Sequence, residues 1–211
     1  MEETPQNYFQ EESPKQEILQ GALEEFLEHG KQGARMQSIA DRAGVNKALL
    51  HYYFSSKDNL HQEVIQRVLS KVFVTITGNL DPSLSPTEQI RVLLGAYFQF
   101  IRTNPELPRL ILMEMASGSS TLIPAMMQVL RGGEWDVPDQ LIKIINRGIE
   151  QGEFRQIDPK QFIISFIGMI LFYFIARPVF IPILGIEDED RYLSERLDHL
   201  EQLILHGLIK E

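Results

Sequence analysis

The segment from Arg35 to Lys57, RMQSIADRAGVNKALLHYYFSSK, constrains the fold more than any other part of the chain. Its apolar residues are spaced for a short helix, a tight turn and a second short helix. Gly44 suits the positive φ that ends a helix, and Asn46 is a favourable N-cap for the next one. Helices this short are unstable alone, so they must lean on neighbours, which leaves the outer face of the second helix free to enter a DNA major groove.

The same segment resembles the helix-turn-helix of the TetR family of bacterial transcriptional regulators. That motif runs I-A-x-x-A-G-V-S-x-x-x-L-Y-x-x-F-x-x-K-x-x-L, and the matching residues here are Ile39, Ala40, Ala43, Gly44, Val45, Leu50, Phe54, Lys57 and Leu60. Asn46 replaces the usual Ser, and His51 stands where Tyr is commonest. Arg35 occupies the position of the usual Thr cap, so the first motif helix is expected to begin without a side-chain cap.

Three helix starts along the chain share one pattern. Ser13, Ser85 and Asp158 each precede a proline at the first helical position, and a Gln or Glu follows at the third. There is no convincing run of the alternation typical of strands. The sequence therefore predicts an all-α protein.

The resemblance divides this all-α chain into two domains. Residues 13–72 are expected to form a three-helix helix-turn-helix DNA-binding domain, with its motif at about 35–54. Residues 73–211 are expected to form a helical domain that binds an effector and dimerises. Residues 1–12 contain four glutamates and no basic residue, and we expect a disordered acidic leader there.

The run from Phe162 to Ala176 is uncharged and raises the question of a membrane span. The predicted helices after the first domain cover about 86–103, 105–116, 121–131, 137–151, 159–176 and 188–208. A helix of about 15 residues is about 22 Å long, which is less than the roughly 30 Å of hydrocarbon in a bilayer. We therefore expect a buried helix and no membrane contact.

Composition and charge narrow the class of protein. The 211 residues include no cysteine, which excludes disulfides and thiolate metal sites. No secretion signal opens the chain, so we expect a cytoplasmic protein. The net charge of −9 is unusual for a DNA-binding protein, but 31–57 holds five basic residues and one acidic residue, a local net charge of +4. This predicts a basic patch on an acidic body, although charge alone fits a solvated surface as well.

Family position and side-chain chemistry together suggest how DNA is contacted. The predicted DNA-binding residues are Arg35, Gln37, Lys47, Ala48, Leu49, His51, Tyr52, Tyr53 and Lys57. The lysines, the histidine and Tyr52 suit phosphates, whereas Gln37 and Tyr53 are candidates for base edges. Ala48 and Leu49 suit thymine methyl groups. Packing in the core beside Phe54 is the alternative for Tyr53.

The second domain is rich in aromatic and thioether side chains, which suit an apolar or lipophilic effector. The candidate pocket residues are Tyr97, Phe98, Arg102, Met113, Glu114, Met126, Trp135, Phe166, Met169 and Tyr173. Plain core packing is the alternative for the apolar members. Arg102 and Glu114 either fix the polar end of a ligand, pair with other groups or face solvent.

Two late helices are expected to form the dimer interface, as the resemblance implies for the last two helices of this family. The predicted interface residues are Phe162, Phe166, Ile170, Leu193, Leu197, Leu200, Ile204 and Leu208. Packing of this stripe inside the monomer is the alternative. A dimer would place two short recognition helices on a two-fold axis, where they could read a palindrome.

Catalysis receives little support from the sequence. There is no cysteine nucleophile, no glycine-rich phosphate loop and no HExxH motif, and we expect neither an enzyme nor a bound cofactor or metal. The favoured function is a homodimeric repressor that an effector releases from its operator. The alternatives are an all-α ligand carrier or enzyme without DNA specificity, and a helical adaptor.

Overall fold

The computed structural model describes residues 13–118, 120–131 and 137–210, and these residues form ten helices and no strand. The helices are α1 (Pro14–Gly33), α2 (Met36–Arg42), α3 (Lys47–Tyr53), α4 (Lys57–Thr77), α5 (Pro86–Thr103), α6 (Glu106–Ala116), α7 (Leu122–Arg131), α8 (Val137–Glu150), α9 (Pro159–Leu184) and α10 (Glu189–Leu208). The all-α prediction is confirmed. The predicted leader, 1–12, and Trp135 lie outside the described residues.

The helix starts follow the predicted chemistry. The side chains of Ser13, Ser85 and Asp158 each accept a hydrogen bond from a backbone N–H in the first turn of α1, α5 and α9. At Ser85 the bond is reciprocated, because Glu88 Oε2 accepts from the Ser85 N–H at 3.0 Å. Local sequence therefore predicts where these three helices begin.

The chain forms two compact units, and each unit is built from two separate stretches of the sequence. The first unit joins Met1–Lys71 to Arg109–Gly132, and the second joins Val72–Pro108 to Gly133–Glu211. In the first unit α1 packs on both α2 and α3, around a core that includes Phe26, Ile39 and Leu50. In the second unit α5 packs on α8, α9 and α10.

Helix α9 is longer than the sequence predicts. It covers 26 residues, from Pro159 to Leu184, and Pro178 and Pro182 lie inside it instead of ending it. Each proline removes only one backbone hydrogen bond, and the helix continues past both. At about 1.5 Å per residue it is about 39 Å long, so the argument that it is too short to span a membrane was wrong.

The surface of α9 is unusually apolar. By length and composition alone α9 is the one helix among the described residues that could cross a membrane, and only 17% of its most apolar window is buried. Its exposed apolar residues are Ile164, Ile167, Phe172, Val179, Ile183 and Leu184. These side chains expose more surface than a core helix would.

Most of the predicted dimer residues lie instead in the core of the single chain. Those at most 5% exposed are Phe166, Ile170, Leu193, Leu200, Ile204 and Leu208. Phe162 and Leu197 are half-buried. Contacts of α10 with α5 and α9 account for the burial, and a partner chain could bury little further surface on the six core residues. For them the alternative, packing within the monomer, describes the structure.

Candidate nucleic-acid interface

Helix α3 is anchored by two apolar side chains and presents its other faces to solvent. Asn46 caps it by accepting from the Leu49 N–H at 2.8 Å. Leu50 and Phe54 are buried, whereas the sides bearing Lys47, Ala48, His51 and Tyr52 are exposed. The Tyr52 side chain is 80% exposed. A short helix held from behind, with small and polar residues in front, has the form of a recognition helix.

The turn before α3 has the predicted geometry. Gly44 has a φ of 65°, in the left-handed region that glycine favours. The Val45 N–H donates to the carbonyl of Ala40 at 3.0 Å, which closes the turn on the end of α2. The predicted helix, turn and helix are therefore present in the structure.

Tyr53 lies at the surface and not in the core. It is 37% exposed, and its ring meets that of Tyr52 edge to face with centroids 5.2 Å apart. Leu49 is half-buried behind the exposed face. Tyr53 thus stays available to DNA, as does its neighbour Tyr52.

Two of the predicted contact residues on and before α2 are also exposed, Arg35 and Gln37. The Gln37 Nε2 donates to Asp41 Oδ1 at 2.8 Å, one turn along the same face. To bond to a base edge with this amide group, Gln37 would have to give up its hydrogen bond to Asp41. Arg35 begins α2 without a side-chain cap, as expected.

Lys57, a predicted phosphate contact, makes bonds inside the protein. Its Nζ donates to the carbonyls of Gln32 and Ala34 at 3.2 and 2.9 Å. These carbonyls belong to the end of α1, so Lys57 ties the start of α4 to that end. The side chain is half-buried, and a phosphate could reach only the part of the ammonium that the carbonyls leave open.

The basic patch is smaller than the charge count implies. Arg42 forms ion pairs with Glu25 and Glu28, and Lys31 forms one with Asp58 at 3.2 Å. Arg35 and Lys47 are exposed, and neither has an ion pair with another described residue. Lys57 also forms no ion pair with a described residue, but its ammonium is half-buried against two carbonyls, so Arg35 and Lys47 are the exposed unpaired cations of this surface.

A buried polar contact in the first unit was not anticipated from the sequence. His61 on α4 is 1% exposed, and its Nε2 lies 3.1 Å from Glu114 Oε1 on α6. Neither ring nitrogen has an aligned hydrogen bond. Burial, reinforced by the charge of Lys31, lowers the pKa of His61 to about 4. At neutral pH the imidazole is therefore uncharged, and the contact is not a salt bridge.

The predicted pocket residues fall in both compact units. In the second unit Tyr97 stacks on Phe166 with centroids 6.5 Å apart, and Phe98 and Tyr173 are buried with them. Arg102 pairs with Asp190 at 2.8 Å, and Met169 is half-buried. The other three described candidates, Met113, Glu114 and Met126, belong to the first unit. Among the described residues no cluster of three His, Asp or Glu side chains could hold a metal.

Comparison with known protein families identifies both parts of the chain. Residues 18–64 match the family described as bacterial regulatory proteins, tetR family. Residues 86–205, more than half of the chain, match the tetracyclin repressor-like C-terminal domain. The chain belongs to the TetR family.

Individual relatives agree with this assignment. The HTH-type transcriptional regulator RutR of Escherichia coli K12 is 26% identical over 195 residues, which are 92% of this chain and 90% of RutR. The transcriptional activator FasR of Mycolicibacterium smegmatis is 35% identical over 95 residues, 45% of this chain and 43% of FasR. The solved structure of the ketosteroid transcriptional regulator KstR2 of Mycobacterium tuberculosis has a TM-score of 0.70 at 20% identity, covering 96% of this chain and 98% of KstR2.

The class of protein follows from the motif and the family together. This chain is a DNA-binding transcriptional regulator with an N-terminal helix-turn-helix domain and a C-terminal helical domain. The predictions of family, fold class and regulatory function are confirmed.

Proposed function

We propose that this protein is a cytoplasmic homodimer that represses transcription from a palindromic operator and is released by a small lipophilic effector, and that it has no enzymatic activity. The observation that carries the proposal is the exposed face of α3, where Lys47, His51 and Tyr52 point outward from a buried anchor. Seven residues of helix read only a few base pairs, so a useful operator needs two such helices.

The apolar face of α9 is our candidate for the dimer interface, in place of the core residues named above. Ile164, Gly168, Phe172, Val179 and Ile183 recur at intervals of four, four, seven and four residues, which places them on one face of the helix, and all are exposed. A Cβ at Gly168 would meet nothing within 4 Å, so a second helix could approach closely there. A patch of large apolar side chains this continuous is typical of an interface, and a second copy would remove it from water.

The nature of the effector is argued from the lining and from a structural relative. The aromatic group around Tyr97 and Phe166 offers apolar surface, which suits a lipophilic molecule better than a charged one. KstR2, which shares this fold, is named a ketosteroid transcriptional regulator. We therefore place steroid ketones first in a panel of trial effectors.

Repression is preferred to activation for this chain. KstR2 of M. tuberculosis, 24% identical over 139 residues, is described as a repressor, whereas FasR is described as an activator. The FasR match covers less than half of this chain. A repressor needs only to occupy its operator. The exposed face of α3 would be enough for that role.

The DNA-binding part of the proposal is tested by selecting duplexes that the protein binds from a random pool. The affinity of the protein for the most enriched duplex is then measured at a series of salt concentrations. We expect a palindromic sequence whose binding weakens steeply as salt rises, because phosphate contacts release counterions. Lys47→Ala should weaken this binding, and Lys210→Ala, a change of the same kind at an exposed lysine after α10, should not. Failure to enrich any sequence would contradict the regulator proposal and favour a ligand carrier.

The interface on α9 is tested by measuring mass in solution. We expect Phe172→Glu to convert a dimer into a monomer, because a carboxylate would be buried against the partner helix. Ile123→Glu changes an apolar side chain of similar exposure on α7 and should leave the dimer intact. A monomeric wild-type protein, or one that partitions into vesicles without added detergent, would contradict the proposed interface.

A further inference from the structure

Glu25 is a buried carboxylate in the middle of the apolar face of α1. It is 1% exposed and lies among Leu23, Phe26 and Leu27. Acidic side chains are almost never buried this fully unless partners satisfy them. The partners of Glu25 therefore indicate what the residue does.

Both hydrogen-bond partners of the Glu25 carboxylate belong to the segment that begins with Arg35 and contains α2, while His29 Nε2 on α1 lies 3.9 Å from Oε2. Oε1 accepts from the Arg35 backbone N–H at 3.2 Å, and Oε2 accepts from the Arg42 Nε at 3.0 Å. Arg35 is the N-cap that immediately precedes α2, and Arg42 is the last residue of the helix. One side chain of α1 thus bonds to the backbone just before α2 and to the arginine side chain at its end.

The bond at Arg35 lies where α2 lacks a cap of its own. No side chain caps this helix, and seven residues are too few for a helix to persist without outside support. A negative charge near a helix N-terminus also interacts favourably with the helix dipole. Glu25 therefore accepts, from α1, the bond from the N-cap N–H that the glutamate of a capping box would accept locally.

The position of α2 determines the position of the recognition helix. α3 follows α2 after a tight turn closed by the bond between the Val45 N–H and the Ala40 carbonyl, and the two helices pack on each other. A shift or fraying of α2 would therefore move α3. We propose that Glu25 is a positioning residue for DNA reading, which sets the recognition helix by clamping both ends of α2 to α1.

The test compares specific with non-specific DNA binding, and it rests on the duplex selected as described under the proposed function. Glu25→Gln keeps the shape of the side chain, but an amide has one acceptor oxygen where a carboxylate has two, so one bond is lost. We expect the affinity for the selected duplex to fall about tenfold or more. Binding to a scrambled duplex, which depends on exposed cations, should change by less than about twofold.

Glu17→Gln is the matched control, because it makes the same change of charge at an exposed position of α1 and should preserve both affinities. Titrations are run at low temperature, with folding verified by circular dichroism. A purely stabilising role for Glu25 would leave the ratio of specific to non-specific affinity unchanged in the folded variant. That result would overturn the proposal.

A second variant covers the case in which Glu25→Gln does not fold. The double variant Glu25→Leu, Arg42→Met removes the buried carboxylate together with its exposed arginine partner and should still lose specificity. Retained specificity in that double variant would contradict the clamp. If wild-type protein selects no duplex, the proposed function fails, and this proposal fails with it.

Discussion

His61 and Glu114 meet at 3.1 Å inside the first compact unit, although they are more than fifty residues apart in sequence. Phe26 packs edge-on against the imidazole with centroids 4.6 Å apart, and neither ring nitrogen has an aligned hydrogen bond. A buried polar group left in this way costs about 1–3 kcal/mol. The contact joins α4 to α6, and separately Lys31 on α1 donates to Oγ1 of Thr121, just before α7, at 3.5 Å.

The buried imidazole makes stability depend on pH in a defined direction. Because the folded pKa of His61 is about 4 and the unfolded pKa is about 6.5, the unfolded chain binds a proton between these values and the folded chain does not. Stability should therefore fall as pH falls from about 6.5 to about 4, by on the order of 3 kcal/mol from this group. Burial raises the pKa of Glu114, which acts in the opposite direction.

Urea denaturation across this pH range, on wild type and His61→Phe, separates the contribution of His61. The variant should lose less stability on acidification than wild type, while His199→Gln, a change at an exposed histidine on α10, should follow the wild-type curve. Parallel curves for wild type and His61→Phe would show that the imidazole is not held neutral by burial.

Lys47 and Lys57 should differ in what their loss costs. Lys47 is exposed, so Lys47→Ala should leave the free energy of unfolding within about 0.5 kcal/mol of wild type and reduce the salt slope of DNA binding by about one. Lys57→Ala removes the donor from two carbonyls and should also lower stability, by about 1–3 kcal/mol. Chemical denaturation and a salt titration of each variant measure the two effects. Equal stability of the two variants would contradict the structural role of Lys57.

Gly148 packs so closely on Phe154 that a side chain there would overlap the ring. Gly148→Ala should destabilise the second unit by about 1–3 kcal/mol, because the ring must move in a packed core. Gly95, inside α5, has nothing within 4 Å of an added Cβ, so Gly95→Ala should stabilise by about 0.5–1 kcal/mol through helix propensity. Thermal unfolding measures both variants. A Gly148→Ala protein as stable as wild type would show that the ring has room to move.

Local sequence determined much of the fold, and the errors came from contacts between distant residues. The caps at Ser13, Ser85 and Asp158 set helix starts that the structure confirms, since a cap involves residues only a few positions apart. The helix predicted over about 159–176 instead continues through Pro178 and Pro182 to Leu184. A missing N–H weakens a helix without deciding whether packing preserves it.

The candidate site shows the same limit. The pattern identified the exposed residues of α3, because burial of Leu50 and Phe54 fixes the opposite face. It could not show that Lys57 and Arg42 are occupied by carbonyls and carboxylates of α1, since these partners lie 14 to 25 residues away. The α10 stripe was likewise ambiguous, because an apolar face does not reveal whether its own chain or a partner covers it.

The most direct test of a dimer that reads a palindrome is the stoichiometry of the DNA complex. Sedimentation equilibrium would be measured for the protein with the selected palindrome and with a duplex that carries one half-site. The account predicts two chains on each palindrome and affinity for the half-site at least a hundredfold weaker, because loss of one recognition helix removes several kcal/mol of contacts. One chain per duplex, with equal affinity for palindrome and half-site, would contradict it.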